Sequence, residues 1–143
     1  MTMAETEIAS FEDLLAATRA DDAPKRLLVV LLRVDSVHRR EADGSEAPLQ
    51  GEGTLSPVAA HDLPVDDALS FERLVSEADE VAPGWSFLMT AVLAGRDRVP
   101  ATEDAAPHLQ RMATAVTSGE GLAQYAVFDR FGDAVRLQPA ETQ

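Results

Sequence analysis

Cysteine is absent from the 143-residue chain, and lysine, tryptophan and tyrosine each occur once. Without cysteine there is no disulfide, no thiolate metal ligand and no thiol nucleophile. Basic residues are also scarce, with 12 Lys and Arg against 25 Asp and Glu and a formal net charge of −13. Binding to a phosphate backbone by counterion release needs clustered lysine and arginine, so nucleic acid and anionic membrane are both excluded as expected partners. Long apolar runs are missing too. The longest, residues 85–95 (WSFLMTAVLAG), is far too short to span a bilayer and reads as a buried strand. Residues 1–10 carry neither a basic n-region nor an apolar h-region, which leaves the cytoplasm as the expected location.

Chemical motifs are equally thin. There is no glycine-rich phosphate loop, no GxSxG and no HExxH, so no cofactor is expected. His38, His61 and His108 fall in separate segments with no ligand spacing between them, so no metal site is expected either.

What is present fits one domain with an ordinary core: 45% of residues are hydrophobic and 26% charged. The negative charge is concentrated in the middle. Residues 35–83 hold twelve acids against Arg39, Arg40 and Arg73, whereas the flanking stretches 1–34 and 84–143 are each near −2. Ser10 predicts a helix N-cap with Asp13 closing a capping box, and Phe11, Leu14, Leu15 and Thr18 form the apolar face of a helix over 11–20. Residues 27–34 (LLVVLLRV) are apolar without alternation, the pattern of a strand covered on both faces. The stretch 36–53 carries charge and Gly44, Pro48, Gly51 and Gly53, and reads as a mobile acidic loop. A strand follows over 54–61, then a helix capped by Ser70, then the 85–95 strand. A third helix opens at 102–104 with Asp104 as its cap and Gly119 as its stop. Residues 124–128 and 134–137 complete a hairpin whose connector places Gly132 in the left-handed region. The expectation is a single α/β domain over 10–138, with α+β as the alternative class. It has a mixed sheet of about five strands and three helices in the order α-β-β-α-β-α-β-β. Residues 1–9 and 139–143 read as flexible tails.

Two helix–strand units resemble one another. Ser10-Phe11-Glu12-Asp13-Leu14-Leu15 recurs as Ser70-Phe71-Glu72-Arg73-Leu74-Val75, and each copy leads through Ala-Pro to an apolar strand ending at Arg and Asp. Units in the same order imply two parallel neighbouring strands, whether they come from a duplication or from any capped helix preceding a strand. On that arrangement Arg33, Asp35, Arg96, Asp97, Asp129 and Arg130 gather at the strand exits, where open α/β sheets bind ligands. Arginine there would grip a carboxylate or phosphate and aspartate would act as a base, while the plainer reading is charged residues ending buried strands. Trp85 reads as rim of the core. Phe131, at the tip of the last turn, either folds back on the sheet or stands out as an anchor for a partner.

Several segments occur together in a recognisable order: FEDLLAA at 11–17, the strand at 27–32, residues 85–96, Glu103-Asp104-Ala105, Leu109-Gln110-Arg111-Met112 and Phe128-Asp129-Arg130-Phe131-Gly132. Together, over about 11–137, they resemble a family of small bacterial proteins commonly labelled "ribonucleotide reductase subunit alpha". A reductase large subunit works through a thiyl radical and a cysteine pair in a much larger barrel, so a chain without cysteine cannot be that subunit. No reductase residue carries over. The opening helix and strand, the turn into Leu55-Ser56-Pro57-Val58 and the helix after it are similar, at the level of fold, to SseB-type domains. The expected function is a non-catalytic protein-interaction or accessory module of the bacterial cytoplasm, with an unidentified protein partner. A homo-oligomer is compatible with the sequence. The alternatives are a small-molecule binder or small enzyme using the strand-exit Arg and Asp residues, and an acidic inhibitor of a basic protein.

Overall fold

A computed structural model of the protein describes residues 8–40 and 46–137, without the side chains of 35–40 and 46–53. The tails expected at 1–9 and 139–143 fall almost wholly outside these residues. The elements are α1 (Phe11–Thr18), β1 (Lys25–Arg40), β2 (Glu46–Pro64), α2 (Phe71–Val81), β3 (Phe87–Ala94), α3 (Thr102–Ser118), a 3-10 turn (Leu122–Gln124), β4 (Ala126–Phe128) and β5 (Ala134–Val135). Helix starts follow from side-chain chemistry. The Ser10 hydroxyl accepts from Asp13 N at 3.3 Å, and the Asp13 carboxylate accepts from Ser10 N at 3.2 Å, closing the box. Ser70 caps α2 by accepting from Arg73 N at 3.1 Å. At α3 the expected cap moves. The helix begins at Thr102, and Asp104 sits at its third position with its carboxylate accepting from Ala101 N at 3.1 Å. Pro107 consequently lies in the second turn, inside the helix.

The strands form one sheet in the order β2-β1-β3-β4-β5. Every pairing is antiparallel, including β1 with β3, in which Lys25 lies opposite Ala94 and Leu32 opposite Phe87. The parallel neighbours and mixed sheet expected from the two similar units are therefore corrected. The cause is the β1–β2 hairpin. It returns the chain to the Lys25 end of β1, where Pro64 faces Arg26. α2 then carries the chain to the opposite end, so β3 enters beside Leu32 and runs back. Similar local patterns fix a helix followed by a strand. They do not fix the direction in which the unit is laid on the sheet.

Side chains of β1 alternate between two cores. Leu27, Val29 and Leu31 pack with Phe11, Leu14, Leu74, Trp85 and Phe128 under α1 and α2. Leu28, Val30 and Leu32 pack with Met89, Met112, Ala115 and Val127 under α3. Helices thus cover both faces of an antiparallel sheet, which explains a central strand with no polar alternation. On the first face Phe11 joins Phe71 and Phe128, with ring centroids 5.4 and 5.5 Å apart.

The stretch 36–53 differs from the expected loop. On both sides of 41–45 it is strand, with Ser36 opposite Gly53 and Arg40 opposite Glu46. Among the described residues, β1 past Leu32 pairs with β2 alone, since β3 begins at the Leu32 position. Glycine and proline read as loop markers, yet a strand that pairs on one side only tolerates both.

Candidate functional site

Antiparallel pairing splits the residues expected to gather at the strand exits. Arg33 and Asp35 are not at a strand exit but lie within β1, still paired with β2 just past the start of β3. They are at the end of the sheet where β4 leaves with Asp129 and Arg130; β3 leaves at the other end with Arg96 and Asp97. The eight residues of β3 separate these ends by roughly 24 Å at ~3.4 Å per residue. Arg33 is exposed, and the side chain of Asp35 lies outside the described residues. The Asp129 carboxylate is committed to its own turn, accepting from Phe131 N at 2.8 Å and Asp133 N at 3.0 Å.

Arg130 closes a clamp around the tryptophan. Its guanidinium lies 4.4 Å from the Trp85 ring centre, donates to the Trp85 carbonyl at 3.0 Å and donates to Asp79 at 2.8 Å. The indole N–H donates to the same Asp79 oxygen at 2.9 Å. Trp85 is 1% exposed, deeper than the rim position expected for it. The hydrogen bond from Arg130, joined by that from Trp85, holds the Asp79 carboxyl below the usual aspartate range. This set pins α2 and the last hairpin to the start of β3, with the indole N–H, both terminal guanidinium nitrogens and Asp79 Oδ1 engaged in doing so.

At the other end, Arg96, Arg98, Asp104 and His108 line an open recess of about 610 Å³. Arg96 and Arg98 are exposed and make no hydrogen bond or ion pair among the described residues. His108 Nδ1 accepts from Arg111 at 2.6 Å. Among the described residues no group of three or more His, Cys, Asp or Glu is placed to hold a metal ion.

Phe131 does not fold back on the sheet. It stands 86% exposed at the tip of the last hairpin, while Gly132, with φ of 88°, lies against the Phe71 ring. A Cβ at Gly132 would touch that ring at 3.4 Å, so the tip is held by close backbone approach rather than by Phe131.

Sequence reasoning missed a further surface, beside the β2 edge on the face of the sheet that α2 covers. A groove of about 250 Å³ runs between this edge strand and α2. Val29 and Leu31 form its floor, and Ala59, Leu74, Ala78 and Val81 its walls. Alanine on both sides is what leaves the space open. Val81 is 68% exposed at the end of the stripe Leu74, Ala78, Val81. Glu77 and Glu80 stand at the rim. Glu77 is engaged by Arg73 at 2.9 Å and His61 at 3.2 Å, and the Arg73 hydrogen bond lowers its pKa. Glu80 makes no ion pair among the described residues and lies in the last turn of α2, which has no basic residue. A carboxylate there faces the negative end of the helix dipole, a breach of local rules that could have marked the site in advance.

No helix among the described residues is long and apolar enough to cross a membrane. No family model, curated protein or solved structure matches the chain.

Proposed function

We propose that the chain is a non-catalytic protein-interaction or accessory module of the bacterial cytoplasm, and that membership of the small bacterial family named above is part of the same reading. One observation carries it. The prominent unsatisfied surface is apolar and open, a groove with exposed Val81 beside the outer edge of β2, while Asp79, Asp129 and Arg130 are spent on holding the fold. A reacting group needs a partner poised for proton transfer or attack, and the strand-exit aspartates are instead separated or locked in turns. Affinity capture from a lysate of the source organism, at low and then physiological salt, tests the reading. A stoichiometric protein that survives physiological salt is expected. Capture of nothing but further copies of the chain would count against it.

A second reading has its own observation. The recess at Arg96, Arg98 and His108 presents two guanidinium groups with no described ion pair, the chemistry of a small anionic ligand. A thermal-shift series with phosphate, citrate and glutamate at constant ionic strength distinguishes a specific anion site from general salt stabilisation. Loss of one anion's effect in Arg96→Gln would favour this reading. The third expectation, an acidic inhibitor, requires the acids of 35–83 to be ordered on one face; of the twelve, Asp35, Glu41, Asp43, Glu46 and Glu52 have side chains outside the described residues.

A further inference from the structure

From the edge geometry of β2 we infer that a short, extended segment of a basic partner protein adds to the sheet there, with an aliphatic side chain in the α2 groove and a Lys or Arg at Glu80. The inference rests on the interaction-module reading and specifies its partner.

The ladder fixes which backbone groups face outward. Val65 N donates to the Lys25 carbonyl at 2.9 Å, so Lys25 and Val65 form a hydrogen-bonded pair. By alternation the pairs Leu27–Leu63, Val29–His61 and Leu31–Ala59 are bonded too, and the backbones of Ala60, Asp62 and Pro64 point away from β1. A register shift between Leu31 and Leu32 leaves Val58 as an extra residue and brings Pro57 opposite Leu32. Beyond this bulge Pro57 also belongs to the outward phase. Proline therefore stands at both ends of a short window in which Ala60 and Asp62 offer outward N–H and C=O groups. Natural sheets use proline to stop edge pairing. Here it stops pairing on either side and leaves the middle open.

That window lies alongside the groove. Ala59, Ala60 and His61 line both, so a strand added there directs alternate side chains over Ala59, Ala78 and Val81. Charge selects the occupant. Glu80 has no described partner at a helix end that disfavours it, and residues 35–83 carry twelve acids against three arginines. A cationic side chain on the incoming strand relieves Glu80. A second copy of this chain does not: edge-to-edge pairing would oppose two acidic rims and bring four prolines into one junction.

The probe is the peptide acetyl-Lys-Ser-Val-Ser-Lys-amide, which places Val and both Lys on one face of a strand, followed by backbone-amide NMR on the full chain. Saturable shifts at Ala60, Asp62 and Val81 are expected, with at least several-fold weaker binding of acetyl-Glu-Ser-Val-Ser-Glu-amide. Ala60→Pro removes an outward donor without touching the β1 ladder and should abolish the shifts. Glu80→Gln should weaken binding several-fold and serves if Ala60→Pro does not fold. Absent edge shifts, equal binding of the two peptides, or an unchanged response in Glu80→Gln overturns the inference. A lysate partner still captured by both variants would also overturn it while leaving the module reading intact, and edge binding with no captured partner would do the reverse.

Discussion

Replacing Ala59 by valine puts two more carbons into the α2 groove. Ala59 is partly buried against Val29, Leu31 and Leu74, and the groove holds about 250 Å³ of open space. Full burial of two carbons is worth about 1.6 kcal/mol at ~0.8 kcal/mol each, and the open side of the groove reduces that to about half. Valine also suits an edge strand better than alanine by a few tenths of a kcal/mol. The net expectation is a gain of about 1 kcal/mol, or roughly 3–5 °C in Tm for a domain of this size. Overpacking would reverse the sign at a cost of ~1–3 kcal/mol, but only where no space exists. Urea unfolding with an unchanged m-value and calorimetry both read the effect. Ala60→Val is the control: Ala60 borders the groove through its backbone, but its side chain is exposed and alternates to the opposite face from Ala59, so the expected change lies within about ±0.5 kcal/mol. A lower Tm for Ala59→Val, or an equal rise in both variants, refutes an open groove on the α2 side.

Other perturbations follow from the same contacts. Phe11→Ala removes a fully buried ring from two aromatic pairs and should cost ~3–5 kcal/mol by urea titration, much of the stability a domain this size possesses. Asp79 titrates below its ordinary range when folded, chiefly through its hydrogen bond from Arg130. Its contribution is therefore complete above the unfolded aspartate value of about 4 and is lost as pH falls through the lower folded one. The urea midpoint difference between the unsubstituted chain and Asp79→Asn should accordingly be constant near neutrality and shrink in strong acid. A difference that grows as pH falls would contradict the clamp. Glu80→Gln removes a negative charge from the C-terminal turn of α2 and should raise Tm slightly, by the equivalent of ~0.3–1 kcal/mol at low salt. Phe131→Ser should leave stability within about ±0.5 kcal/mol, because the ring packs on almost nothing. A larger loss would mean that it does pack.

Local chemistry was legible in the sequence. Ser10 with Asp13, Ser70 before α2 and Gly132 in the last turn act where their side chains, or the lack of one, demand. The uninterrupted apolar run of β1 announced cover on both faces, and two cores separated by alternate residues meet it. Direction was not legible. Nothing in the spacing of two capped helices says that the hairpin between them reverses the chain, and that reversal sends Arg96 and Asp97 to the far end from Arg33 and Arg130. The hairpin itself was obscured by Pro48, Gly51 and Gly53. These residues deny a central strand and are harmless on an edge.

Where the chain obeys local rules, the surrounding structure already explains the residues. Its departures from them are more informative, and they converge. Between Pro57 and Pro64 a stretch of edge backbone is left open, Ala59 and Ala78 line a groove that larger side chains would fill, Val81 is left in solvent, and Glu80 opposes its own helix dipole. Each costs a little stability or leaves some unclaimed, and none is compensated by a contact within the described residues. Independent blemishes should scatter over a surface. These share one strip between β2 and α2, and a basic strand laid there would satisfy the open backbone, the empty groove and the unpaired carboxylate at once.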